Sequence, residues 1–334
     1  DCVVLNDTKV FRARLRGVIE GKPVELLLVR PQHSSPSPQG GEGEREGERR
    51  DSEWLVLAKP GKRFRVGTTV IVGKLNGVVR SRESDGSLRV TFDRSARSVI
   101  AHANRVGEIP IPPYVHGHIS RLEDYQTTYA RAAGSVAAPT AGFHVTPRIL
   151  QTLRTKGVQI VRITLHVGLG TFQPIRSGRL EDHRMHAEWV EMSAAAVRTI
   201  RATHANGGRV IEIGTTTLRA LEGTLRTQLV RRAHSSYSPS HGEGEREGER
   251  REGTLQPFSG FVDLFITPGF QFRVVDALFT NFHLPKSSLL VLASAFAVPE
   301  SRSLRGRDLV LSAYRHALRK KYRFYSFGDA MFIQ

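Results

Sequence analysis

A chain of 334 residues is long enough for about two domains at roughly 150 residues each, and a 39% hydrophobic content supplies a sizeable core and excludes disorder as a whole. One cysteine, Cys2, excludes an internal disulfide framework and any multi-cysteine metal site, which points to a reducing, cytoplasmic setting. The 49 Lys and Arg against 32 Asp and Glu, a net charge of +17 spread along the sequence, fit a polyanionic partner, although an Arg-rich composition alone produces the same balance.

Cys2 to Leu5 is a bare apolar run of the kind that sits as a buried strand between neighbours. From Val10 to about Ile100 come short β-rich runs, VFRARLRG, PVELLLVR, WLVLAKP, TTVIVG, NGVVRSR and SLRVTFD, separated by Gly, Asn-Gly and Asp-Gly turns. They predict a small antiparallel β-barrel domain over 10–109. Two low-complexity stretches, His33 to Arg50 and His234 to Arg251, differ at only three positions and carry no hydrophobic period. They read as inserted copies of one sequence, solvated and mobile, with flanks to Glu53 and Glu252. With its flank the first stretch has six acids and three Arg and the second five and three, so the rest of the chain carries +22.

After Ile109-Pro110-Ile111-Pro112-Pro113 the pattern changes to alternating helix and strand. Thr146 caps a helix that starts at Pro147 and ends near Thr155, QIVRITLHV is a buried strand, and Ser193 caps AAAVRTIRATHA. RVIEIG is the next strand and Thr215 to Leu225 the next helix. FVDLFITPG, VVDALFT and MFI are further strands, with helices around Ser288 to Ala297 and Asp308 to Lys320. Residues 1–9 and 110–334 therefore form an α/β domain with a largely parallel sheet, interrupted by the small barrel. No apolar run approaches the roughly 20 residues needed to span a bilayer, and DCVVLNDT lacks the charge and apolar order of a signal peptide.

In such a sheet, ligands bind beyond the carboxyl ends of strands. QIVRITLHV runs into His166-Val167-Gly168-Leu169-Gly170-Thr171-Phe172, where Gly168 and Gly170 let backbone approach a ligand, though the dinucleotide spacing fails at Gln173. RVIEIG runs into Thr215, Thr216 and Thr217 at a helix start suited to a carboxylate or phosphate, or to plain capping. VVDALFT runs into Asn281-Phe282-His283, and Pro139 to His144 places Phe143 and His144 before the capped helix. His183 and His186 have the only metal-like spacing, but neither an HExxH motif nor a cysteine accompanies them.

LNDTKVFRARL, GEIPIPPY, DYQTTYA, PTAGFHVT, ITLHVGLGTFQPI, HRMHAEW, GTTTLRALE, TNFHLPKSSLL and YRFYSFGDAMFI occur in this order and together cover nearly the whole chain outside the inserts. In these motifs the sequence resembles the S-adenosylmethionine:tRNA ribosyltransferase-isomerases of queuosine biosynthesis. The resemblance implies an α/β barrel-like domain with an inserted small β-barrel. It also implies transfer and isomerisation of the ribosyl part of S-adenosylmethionine onto 7-aminomethyl-7-deazaguanine at the tRNA wobble position, giving epoxyqueuosine, adenine and methionine. Three departures stand out: the family's segment before LNDT is absent here, the two inserts are foreign to it, and Val298 stands where Gly is usual. Restoring that segment is expected to raise stability and activity.

The implied chemistry needs a base at the C5′–H that the sulfonium acidifies and proton donation to adenine, with neither a metal nor a further cofactor beside the co-substrate S-adenosylmethionine. His144, His166 and His283 are the acid/base candidates, and Asp182, His183, His186 and Glu188 a cluster that could orient substrate. Thr215, Thr216, Thr217, Gly168 and Gly170 suit the methionine carboxylate and ribose, and Asn281 is a further substrate-binding candidate. Phe143, Phe172 and Phe282 are candidates to stack on a base. A cytoplasmic monomer acting on tRNA, without membrane contact, is expected. The rival readings are a non-catalytic basic RNA-binding protein, an inactive truncated form of the enzyme, and a methyltransferase, which the missing glycine fingerprint disfavours.

Overall fold

The structure is a computed structural model that describes residues 1–32, 51–112, 114–115, 119, 121–168, 175, 178–183, 185–235, 254–299 and 303–334. Residues 33–50, and 236–251 of the second low-complexity stretch, lie outside the described residues, whereas His234 and Ser235 are the last two residues of a helix. The chain divides into two compact units, Asp1–Asp7 with Thr127–Ala130 and Pro139–Gln334, and Thr8–Gln126 with Arg131–Ala138.

Strand β1 (Cys2–Asn6) belongs to the larger unit, and the chain then enters the smaller with β2 (Thr8–Val10). There β3 (Arg14–Ile19), β4 (Lys22–Pro31), β5 (Ser52–Lys59), β6 (Thr69–Val72), β7 (Leu75–Arg82) and β8 (Leu88–Phe92) close into an antiparallel barrel in the order β3-β4-β5-β8-β7-β6. Alternation builds it: Leu15, Leu26, Leu28, Trp54, Val56 and Val90 are fully buried while their chain neighbours face outward. Because β5 starts at Ser52, the flank of the first insert is already barrel strand. Helix α1 (Ala96–Val106), which the sequence reading lacks, is capped by Ser95, whose hydroxyl accepts from the Ser98 N–H. The short strand β9 (Ala132–Ser135) pairs with β2, which is why Arg131–Ala138 belong to this unit.

In the larger unit follow α2 (Pro147–Thr155), β10 (Gln159–His166), β11 (Glu188–Met192), α3 (Ala194–Ala205), β12 (Val210–Ile213), α4 (Thr215–Ser235), β13 (Phe258–Val262), β14 (Ala277–Asn281), α5 (Ser288–Ala297), α6 (Arg305–Arg319) and β15 (Ala330–Ile333). Thr146 and Ser193 cap α2 and α3 as their sequences predict. The strands form one sheet in the order β13-β11-β10-β1-β12-β14-β15. β10, β1, β12 and β14 are parallel, β11 and β15 run opposite to them at either side, and β13 pairs antiparallel with β11 and so points the same way as the parallel strands. The fold is thus α/β with an inserted all-β barrel.

Cys2 to Asn6 are all buried, since β1 is flanked on both sides and covered on both faces. Val3, Leu5 and Ile213 pack on one face with Tyr129, Val145 and Leu150, and α3 and α4 cover the other. A single turn at Leu180–Asp182 precedes β11 along the chain. One expectation needs correction. FVDLFITPG joins the sheet only up to Val262, and Leu264 and Ile266 are buried as core without a ladder partner among the described residues, the Leu264 carbonyl accepting from Arg219 instead.

Candidate functional site

The chain runs from β10 outward to β11 and returns as β12 on the other side of β1, so strand order reverses at β1. A crevice beyond the carboxyl end of β1 is where this topology places a ligand. Asn6 and Asp7 stand there. The Asn6 amide extends the ladder, its Nδ2 donating to the Leu165 carbonyl at 2.9 Å and its Oδ1 accepting from the Leu165 N–H at 3.0 Å. That grip fixes Asp7, which is 3% exposed and accepts from the Thr164 hydroxyl at 2.7 Å.

Thr164 and His166 share one face of β10, and their register partners on β11 are Glu191 and Trp189. Burial, and then the charge of Asp7, raise the Glu191 carboxyl above its ordinary value. Burial pulls His166 down to about 4, with Asp7 opposing the shift. Burial followed by Asp7 also raises the Tyr129 phenol, against which Arg162 acts. One carboxylate thus acts electrostatically on a second carboxyl, an imidazole and a phenol at the sheet edge. Of the three, only the Glu191 carboxyl is moved toward neutrality, which makes it the proton-accepting candidate of the group.

A second group lies at the carboxyl ends of β12 and β14. The 140–144 turn is pressed onto Tyr129, where a Cβ on Gly142 would come within 2.1 Å of the phenol oxygen. Thr140 donates to the Asn281 Oδ1 at 3.0 Å, and the His144 ring sits edge-on to Phe279 with centroids 5.7 Å apart. Phe143 lies 5.6 Å from Phe327. Of the three threonines, Thr217 donates back to the Ile213 carbonyl at the end of β12 at 2.8 Å, whereas the buried Thr216 hydroxyl has no hydrogen-bond partner among the described residues.

Glu188 faces the opposite side of β11 from Glu191. Its Oε1 accepts from the Gly168 N–H at 3.0 Å and its Oε2 lies 2.9 Å from Arg219 Nη1 on α4, both side chains being 3% exposed. The carboxylate that the sequence offered as a substrate-orienting group is therefore engaged in a buried ion pair. His183 packs edge-on to Phe265 with centroids 4.9 Å apart, and burial followed by His186 lowers its pKa. Asp182 and His186 are exposed, and Gly170 and Phe172 lie outside the described residues.

Phe282 requires a clear correction. It is 4% exposed, stacks on Phe324 at 4.7 Å and meets Tyr314 edge-on at 5.2 Å, so its ring belongs to the core between β14 and α6 rather than to a base-stacking surface. The strand-end position hid this, because the chain turns inward after Asn281. His283 is buried beside it, with Nε2 3.0 Å from the Thr280 hydroxyl and its N–H donating to the Tyr314 hydroxyl. Burial holds its pKa down to about 4, so it is neutral at pH 7.

The profile of a family described as queuosine biosynthesis protein matches residues 1–333. The chain belongs to that family. Its role is accordingly in queuosine biosynthesis. Among solved structures, the chain is similar to the S-adenosylmethionine tRNA ribosyltransferase from Thermotoga maritima at 30% identity, covering 100% of this chain and 82% of that one, with a TM-score of 0.43.

Within this member of the queuosine biosynthesis family, sequence reasoning named His166, His144, Asn281 and the threonines as candidates and did not name Asp7, Tyr129, Thr164 and Glu191, which the structure adds as candidates. One signal was available: an Asn-Asp pair directly after an apolar strand predicts polar groups at a strand's carboxyl end. Glu191 had no local signal, since its neighbourhood follows from the antiparallel pairing of β11 with β10.

Proposed function

We propose that the chain transfers and isomerises the ribosyl moiety of S-adenosylmethionine onto 7-aminomethyl-7-deazaguanine at the tRNA wobble position, releasing adenine and methionine. The observation that carries the reading is the Asp7–Thr164–Glu191–His166 group at the point where strand order reverses. The reaction removes a proton from the sulfonium-activated C5′, and Glu191, more basic than an ordinary carboxylate, is suited to accept it. Asp7 sustains that basicity by its charge, while Thr164 fixes the Asp7 carboxylate. His166 is neutral at pH 7 and serves as a hydrogen-bonding group rather than a cationic acid. Family membership and the basic composition support tRNA as the acceptor.

The test is chromatography of adenine and methionine after incubation with S-adenosylmethionine and tRNA carrying the modified base. Wild type releases both. Glu191→Gln and Asp7→Asn lower kcat by about 10²–10⁴ with an unchanged melting curve. No adenine from the wild type, or wild-type kcat in both variants, overturns the reading.

A further inference from the structure

Beside the acid cluster lies an arrangement of unsatisfied polar atoms that the chemistry above does not use. The Asn281 amide is 4% exposed; with Thr140 donating to its Oδ1, its Nδ2 has no hydrogen-bond partner among the described residues. The Thr216 hydroxyl, in a residue 6% exposed, is likewise without a partner among them. Leaving a buried donor unmade costs about 1–3 kcal/mol, which a ligand can recover.

Thr216 follows β12, and Asn281 ends β14, the strand paired with it. Thr216 stands in the first turn of the 21-residue helix α4, whose leading N–H groups carry a positive partial charge. Gly214, at φ +93°, precedes that turn and has no side chain. A Cβ built on it would sit 3.6 Å from both Ala141 Cβ and Thr216 Oγ1, in ordinary contact with each, so a space of about methyl size is open there. Ala141 belongs to the same turn as Thr140, which holds Asn281. β12 and β14 are adjacent parallel strands, with Ile213 level with Phe279 and the Gly214 N–H donating to the Phe279 carbonyl, so Asn281 and the start of α4 end side by side.

We infer that Thr216 Oγ1, Asn281 Nδ2 and the first turn of α4 form a carboxylate site, and that it takes the α-carboxylate of the amino-acid part of S-adenosylmethionine. The inference rests on the reaction proposed above, because it assumes that co-substrate. Neutral donors and a helix end match the single charge of a carboxylate, and hydrogen bonds to a charged group are about twice as strong as neutral ones. A tRNA phosphate would present the same acceptor chemistry, and the test separates the two sources.

The experiment measures equilibrium binding of S-adenosylmethionine and of its decarboxylated analogue to the full chain, in wild type, Thr216→Val, Thr216→Ser and Asn281→Leu, with melting curves for each and filter binding of tRNA alongside. Wild type is expected to prefer S-adenosylmethionine about tenfold or more. Thr216→Val and Asn281→Leu each lose about tenfold for S-adenosylmethionine and little for the analogue, and Thr216→Ser keeps the preference. Equal affinity of the wild type for both ligands overturns the inference without any variant being needed. So does a preference that survives in folded Thr216→Val and Asn281→Leu, or a loss confined to tRNA. If the wild type releases adenine yet shows no preference, only the carboxylate site fails; if it binds neither ligand, the proposed reaction fails and this site with it.

Discussion

Arg219→Met tests how the sheet edge is held. The Glu188–Arg219 pair joins β11 to α4 with 3% exposure on each side chain. Removing one member of a buried pair strands the other charge and costs about 3–5 kcal/mol. Here the Gly168 N–H still reaches Glu188 Oε1, so part of the charge stays compensated and the lower end, about 3 kcal/mol, is expected. For a body of this size that corresponds to a melting temperature roughly 6–12 °C lower, at about 2–4 °C per kcal/mol. Glu188→Gln combined with Arg219→Met removes both charges and leaves a neutral amide beside Gly168. The double variant still leaves the Leu264 carbonyl without its Arg219 donor, at a cost of about 1–3 kcal/mol, so its loss is expected to be well below the sum of the two single losses, a coupling that paired groups produce. Urea denaturation of wild type, both single variants and the double variant at pH 7 measures it. A loss below about 1 kcal/mol for Arg219→Met, or single losses that simply add in the double variant, refutes the reasoning.

Four further outcomes follow from the same contacts. Phe282→Ala should cost about 3–5 kcal/mol in denaturant stability, because its ring fills an aromatic core; a stable variant with abolished turnover would restore a base-stacking role. His283 is held neutral with a folded pKa of about 4 against 6.5, so the unfolded chain binds more protons between those values and stability falls as pH drops from about 6.5 to 4. His283→Gln should flatten that fall, and an unchanged pH profile would contradict it. Glu212 is fully buried with neither oxygen hydrogen-bonded among the described residues, and burial followed by Glu222 raises its pKa well above 4.5. It destabilises increasingly as pH rises through that window, so Glu212→Gln should gain more stability at pH 8 than at pH 5, which equal gains would refute. Finally, tRNA affinity should fall with salt with a log–log slope of about −3 or steeper if three or more phosphates are contacted, whereas a flat response would make the basic charge merely compositional.

Local chemistry accounts for what the sequence disclosed. The six barrel strands alternate buried and exposed residues, and Thr146, Pro147 and Ser193 mark helix starts by capping, so both patterns are readable without tertiary information. β11 escaped because Glu-Trp-Val-Glu-Met is a short strand whose alternation only acquires meaning beside β10 and β13. The site was half legible for the same reason. Residues at the carboxyl ends of parallel strands, such as His166 and Asn281, follow from fold class. Whether a strand-end side chain faces the crevice or the core does not, and Asn281 and Phe282 take opposite fates one residue apart. Glu188 and Glu191 similarly part company by the two-residue period of one strand.

Mass spectrometry of tRNA carrying 7-aminomethyl-7-deazaguanine, after incubation with S-adenosylmethionine labelled separately in its ribose and methyl carbons, tests the central claim most directly. The account predicts that ribose label enters the wobble nucleoside and methyl label leaves with methionine. Methyl label in the tRNA, or tRNA of unchanged mass, would contradict it.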